Sequence, residues 1–249
     1  MKIAICMSGQ PRQVVKSMEH FMKFIRSANP DADVFFHTWF DPSKAGQKFD
    51  SAQAHQNGNV GAIHPDTVKI LMENLKPVSY KIEIPKDSEF VESTRNYMSS
   101  PNADQAKLMS LFYSLKYAND LKRAHEISNN FVYDIVVRLR MDLHYSAPVN
   151  FMDFKNHLDH VITSEKFQLK RMGDVPGLGN YTMDDIFAVS SSSNMDKYSE
   201  VFSRMGELNS TISPPYGENY LGYVVRTIHK IPVAVAPVDI EIMHRINNE

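Results

Sequence analysis

Short, unbroken apolar runs that alternate with helical stripes constrain this chain more than any other feature. Ile3-Ala4-Ile5-Cys6-Met7 is continuously apolar and stops at Ser8-Gly9-Gln10-Pro11, the pattern of a strand buried on both faces giving way to a turn. Val14, Val15, Met18, Phe21, Met22 and Ile25 then recur at three- and four-residue steps. That spacing predicts a helix with one apolar stripe lying on a sheet, closed at Asn29-Pro30. Asp33-Val34-Phe35-Phe36-His37-Thr38-Trp39 supplies a second strand of β-branched and aromatic residues. A β-α-β opening of this kind places the chain in the α/β class, with a mostly parallel central sheet flanked by helices.

The remaining chain repeats the theme. Residues 41–61 are polar and without period, so they read as an excursion, with a lid over a ligand as one reading. A helix is expected over 65–75 and a half-buried strand at Tyr80-Lys81-Ile82-Glu83-Ile84. Leu108, Leu111, Phe112, Leu115, Ala118 and Leu121 form the clearest helical stripe, with Asp104 as its start signal. Tyr133-Asp134-Ile135-Val136-Val137-Arg138-Leu139-Arg140-Met141-Asp142 is a further apolar strand. Strands are also expected at 160–163, 186–189 and 232–235, and helices at 195–208 and 218–229. A glycine-bearing loop spans 173–180. With no repeat, linker or change of composition, residues 1–249 read as a single domain.

Composition removes several classes of function. Twenty-seven Lys and Arg against 29 Asp and Glu leave a net charge of −2, so there is no excess of cations to bind a nucleic-acid backbone, and nucleic acid is not an expected partner. Cys6 is the only cysteine, lies in an apolar run and cannot form an intrachain disulfide, which fits a reducing, cytoplasmic setting. The opening apolar run is too short for a signal-peptide core, and no run approaches the roughly 20 residues of a membrane-spanning helix. Any contact with lipid is then peripheral. Zinc-binding and nucleophile-elbow motifs do not occur.

The end of the Tyr133 strand concentrates the chemistry. Side chains two apart on a strand share a face, so Arg138, Arg140 and Asp142 point the same way. Two guanidiniums and a carboxylate on an otherwise apolar strand need partners. A diphosphate with a divalent cation, Mg²⁺ or Mn²⁺, would supply them. An internal ion-pair network, or a strand end reaching solvent, would also do so.

Ser8-Gly9-Gln10-Pro11-Arg12, the strand 33–39, the segment Met109-Ser110-Leu111-Phe112-Tyr113-Ser114 and the strand 133–143 together resemble a family of bacterial and viral polysaccharide glycosyltransferases. The resemblance implies a GT-A fold of the nucleotide-sugar-dependent kind. In that fold the first strand and its turn hold the nucleotide, and an Asp-x-Asp-like strand end holds a metal-diphosphate. Here Arg140 stands where the first acid is expected, leaving Asp142 as the only carboxylate of that element and the sole metal-ligand candidate.

Under this resemblance the donor-binding candidates are Ser8, Gly9, Gln10, Arg12, His37, Thr38, Trp39, Arg138 and Arg140. Each has an ordinary alternative: Gly9 and Arg12 a plain strand-to-helix turn, His37 and Trp39 core packing. Met183-Asp184-Asp185-Ile186 places acids before an apolar strand, on what the resemblance makes the acceptor side, where a carboxylate could take a proton from an acceptor hydroxyl. Asp184, Asp185 and Glu218 are therefore the catalytic candidates. Solvated loop charge is the alternative for the aspartates, and for Glu218 a helix-start acid. His229 and His244 lie too far apart for a local metal motif. The implied activity is sugar transfer from a nucleotide-diphosphate donor to a hydroxyl of a glycan or lipid-linked glycan. A nucleotidyltransferase and a non-catalytic nucleotide-sugar or carbohydrate-binding protein are the rivals.

Overall fold

The computed structural model describes residues 1–48, 61–86, 89–90, 92, 103–165, 182–212 and 216–243. Part of the polar excursion, the glycine-bearing loop and His244 lie outside the described residues.

Nine strands are present among them: β1 (Ile3–Gly9), β2 (Asp33–Trp39), β3 (Ser79–Glu83), β4 (Ile135–Arg140), β5 (Leu143–Tyr145), β6 (Val161–Ser164), β7 (Phe187–Ser190), β8 (Val233–Ala236) and β9 (Ile240–Ile242). Seven form one sheet in the order β3-β2-β1-β4-β7-β6-β8. Its pairings are parallel except at β7, which runs against both β4 and β6. The continuous apolar composition of β1 and β4 follows from their central places: Ala4 to Met7 and Ile135 to Leu139 are all buried.

Helices cover both faces. On one, Val14, Met18, Phe21 and Ile25 pack with Leu71 and Leu75 onto Ile5, Phe36, Val137 and Leu139. These side chains belong to α1 (Val14–His20), its π-helical continuation Phe21–Arg26, and α2 (Thr67–Leu75). Val15 and Met22 point outward instead, because positions 14, 18, 21 and 25 already fill the stripe that one helical face can present. On the other face α3 (Ala103–Asn129), α4 (Ser192–Tyr198), α5 (Met205–Thr211) and α6 (Gly217–Gly222) meet Cys6, Phe35, Val136 and Ala188 through Phe112, Leu115, Tyr198, Leu208 and Leu221. Burying each large side chain contributes about 1.5–3 kcal/mol.

Two expectations are corrected. The single helix over 195–208 is broken into α4, a 3₁₀ stretch Ser199–Arg204 and α5. At the break, the Ser199 hydroxyl donates to the Asp196 carbonyl at 2.8 Å and so competes with the helical ladder. The small antiparallel pair β5–β9 was not foreseen; three-residue strands are too short to show a period. It places Asp142, whose carbonyl accepts from the Met243 N–H at 2.8 Å. Among the described residues no helix is long and apolar enough to cross a membrane.

Candidate active site

β1 and β4 are neighbours, and Ser8 lies opposite Arg140, so the turn after β1 and the end of β4 share one rim of the sheet. In open α/β sheets this carboxyl rim is where ligands bind. Arg140 grips Asp142 with two hydrogen bonds, Nε to Oδ1 at 2.8 Å and Nη2 to Oδ2 at 3.0 Å. Arg12 arrives from across the sequence, its Nη1 3.5 Å from Asp142 Oδ2 and its Nη2 donating to Gln10 Oε1 at 2.8 Å. Burial alone would lower the pKa of Arg140, but the Asp142 carboxylate drives it upward. Asp142 is 1% exposed, so this ion pair works in a medium of low polarity.

Arg138, two residues deeper on the same side of β4, is treated differently. It is 2% exposed, and none of its three guanidinium nitrogens has a hydrogen-bond partner. Burial pulls its pKa down; Tyr198 and Asp185 work in the other direction. The reversal of β7 brings in the acids. Because β7 begins where β4 ends, with Arg140 N–H donating to the Ile186 carbonyl at 3.3 Å, Asp184 and Asp185 arrive at the rim from the opposite chain direction. Both are buried, and both lie within electrostatic reach of Arg140. Glu218, half-buried at the start of α6, is joined to this segment through its carbonyl, which accepts from Met183 N–H at 3.0 Å.

The β1 turn is held from behind. Gly9 has φ +119°, a conformation that L side chains rarely adopt, and open space lies where a Cβ would stand. Its N–H donates to Ser114 Oγ at 3.1 Å, and its carbonyl accepts from Thr38 Oγ1 at 2.8 Å. Ser114 Oγ is also 2.8 Å from His37 Nδ1, and His37 Nε2 is 3.0 Å from Glu83 Oε2. Burial lowers the His37 pKa to about 4 despite Glu83, so the ring is neutral. Burial would raise Glu83, but hydrogen bonds from Lys86, His37 and Tyr113 bring it to about 2. His37 is thus a support of the turn with both nitrogens engaged. Trp39 is buried against Tyr113. Ser8 Oγ is buried on the Arg140 side without a partner.

Arg12, Arg140 and Asp142 are therefore brought together, with Arg138, Asp184 and Asp185 near them. His37 and Trp39 stand behind the turn. Both oxygens of Asp142 are already engaged by Arg140. Among the described residues no group of three His, Cys, Asp or Glu is placed to hold a metal ion. Among these residues a cation would reach Asp142 by displacing Arg140. His229 Nε2 pairs with Glu200 at 2.9 Å. Burial raises the Cys6 thiol to about 12, which removes it as a nucleophile. Two clefts open elsewhere, one of about 600 Å³ beside Lys116, Asp196 and Arg204, the other about 570 Å³ near Lys2 and Asp33.

Sequence reasoning missed Tyr198, Tyr145, Ser114 and Glu83. Ser114 carried a signal, a hydroxyl on the buried face of α3; Tyr145 and Tyr198 stand outside every motif the sequence displays.

Residues 1–213 match the family described as a domain of unknown function, DUF7796. The chain belongs to the DUF7796 family. No curated protein matches the sequence of this DUF7796 chain. Solved structures similar to it include mouse xyloside xylosyltransferase 1, at 12% identity over 94% of this chain and 84% of that one, with a TM-score of 0.42. The glycosyltransferase GlyE of Streptococcus pneumoniae TIGR4 is another, at 10% identity and a TM-score of 0.42. The DUF7796 chain, 94% of which is covered, spans 45% of GlyE.

Proposed function

We propose that this protein transfers a sugar from a nucleotide-diphosphate donor to a hydroxyl of a glycan or lipid-linked glycan. The observation that carries the reading is the meeting of Arg12, Arg140 and Asp142, with Arg138 behind them, at the carboxyl rim shared by β1 and β4. Guanidinium forks match phosphate oxygens, and preorganised positive charge acts where the leaving diphosphate gathers negative charge. As the bond from the anomeric carbon to the diphosphate oxygen breaks, the acceptor oxygen forms its bond to that carbon. Asp184, Asp185 or Glu218 receives the acceptor proton. A cation on Asp142 would have to displace Arg140, so arginines supply the countercharge in this reading.

The test is incubation of the purified chain with UDP-, GDP- and dTDP-sugars, and with CMP-sugars as monophosphate donors for contrast, with Mn²⁺ or with EDTA. Released nucleoside diphosphate, with donor binding retained in EDTA, is the expected result. Release of pyrophosphate from a nucleoside triphosphate and a sugar 1-phosphate, supplied in a parallel incubation, would identify a nucleotidyltransferase. Binding with no release would identify a carbohydrate- or nucleotide-binding protein.

A further inference from the structure

Among the described residues Lys122 and Arg138 are the cations buried as whole side chains, and their surroundings differ. Lys122 on α3 is fully buried and bonded to Ser192 Oγ at 2.5 Å, Asp196 Oδ1 at 2.9 Å and Glu126 Oε2 at 3.0 Å. Arg140 has Asp142. Arg138 has the full set of guanidinium donors and no acceptor within hydrogen-bond distance. The tyrosines show the same division. Tyr133 donates to Asp33 at 2.6 Å and Tyr220 to Asn209 at 2.5 Å. The buried hydroxyls of Tyr198 and Tyr145 have no partner, and these two rings are the ones whose ionisation Arg138 influences. A buried donor without an acceptor costs the fold its lost hydration, and a charged one costs more. Arg138 lies opposite Ala188, whose side chain packs in the same cluster as Tyr198, so the guanidinium and this hydroxyl share one face of the sheet and lack the same kind of partner, a compact oxyanion.

We propose that Arg138 and Tyr198 form a preformed receptor for a phosphate or carboxylate group, and that its occupancy stabilises the folded chain. Phosphate would come from the donor's diphosphate, and carboxylate from an acidic sugar. The identity of the ligand rests on the glycosyl-transfer reading; the receptor does not. Tyr198 then becomes a binding residue.

The test uses the full chain in thermal unfolding, with pyrophosphate, inorganic phosphate or acetate at matched ionic strength, for wild type, Arg138→Met and Tyr198→Phe. In wild type at least one oxyanion raises Tm, by about 5 °C or more at a hundredfold excess over Kd. Arg138→Met abolishes that shift without lowering the ligand-free Tm, because the guanidinium it removes has no partner to lose. Tyr198→Phe leaves the ligand-free Tm in place and weakens oxyanion binding about fivefold or more, the scale of one hydrogen bond to a charged group. A shift with pyrophosphate alone assigns the site to the diphosphate; a shift with acetate alone assigns it to an acidic sugar. The receptor is overturned if no oxyanion stabilises the wild type, or if Tyr198→Phe or Arg138→Met responds as wild type does. Oxyanion binding without release of nucleoside diphosphate from any donor would end the glycosyl-transfer reading and leave the receptor standing.

Discussion

Asp142 and its two guanidiniums behave as a unit that cannot be taken apart cheaply. Removing Arg140 takes two hydrogen bonds from a carboxylate that is 1% exposed, whereas the contact from Arg12 is the longer one, at 3.5 Å. Breaking a buried pair from one side costs on the order of 3 kcal/mol, so Arg140→Ala should lower the urea midpoint strongly and Arg12→Ala much less. Equal effects from the two would show that the bidentate bond is not what holds the rim. At this scale the sequence was informative about which residues matter and silent on how they pair. Alternation placed Arg138, Arg140 and Asp142 on one side of a strand. It could not say that Arg140 would turn onto Asp142 while Arg138 stayed unpaired, because that depends on Tyr198, Asp185 and Arg12, delivered by other elements.

The elements on the α3 face are joined by polar bonds as well as by apolar packing. Lys122 ties α3 to α4 through Asp196 and Ser192, and its position inside the apolar stripe makes it the most buried cation of that helix. Lys122→Met keeps the apolar stem but takes the cation from Glu126, which retains the Tyr133 N–H and the Ser192 hydroxyl as donors, so a loss of about 3 kcal/mol is expected in chemical denaturation. A loss under about 1 kcal/mol would show that water reaches the cluster. Elements with a long period were legible: α3 from its leucines, β1, β2 and β4 from their apolar runs. Short ones were not. β5, β9 and the break at Ser199 depend on pairing across the fold and on a side-chain bond to the backbone, neither of which leaves a periodic trace. The reversal of β7 was equally hidden, since a buried strand has the same composition in either direction.

For the molecule as a whole, His37 sets an acid limit. Its folded pKa of about 4 lies below the ordinary 6.5, so between those values the unfolded chain takes up a proton that the folded chain refuses. Stability should fall as pH drops from 6.5 to 4, by at most about 1.4 kcal/mol per pH unit from this group. Glu83, held at about 2 against an ordinary 4.5, adds a second loss as pH falls from 4.5 towards 2. Urea midpoints at pH 7, 6 and 5 should decline in wild type and flatten in His37→Gln; an unchanged slope in the variant would place the sensor elsewhere.

The backward course of β7 has a lasting effect on how such a molecule can vary. β6 finishes and β7 starts on the rim that carries Gly9 and Arg140, so two strand ends of opposite chain direction meet there. Asp184 and Asp185, set just ahead of β7, are held at that rim by the pairing of β7 with β4. A designer could not relocate the two acids without re-pairing the sheet.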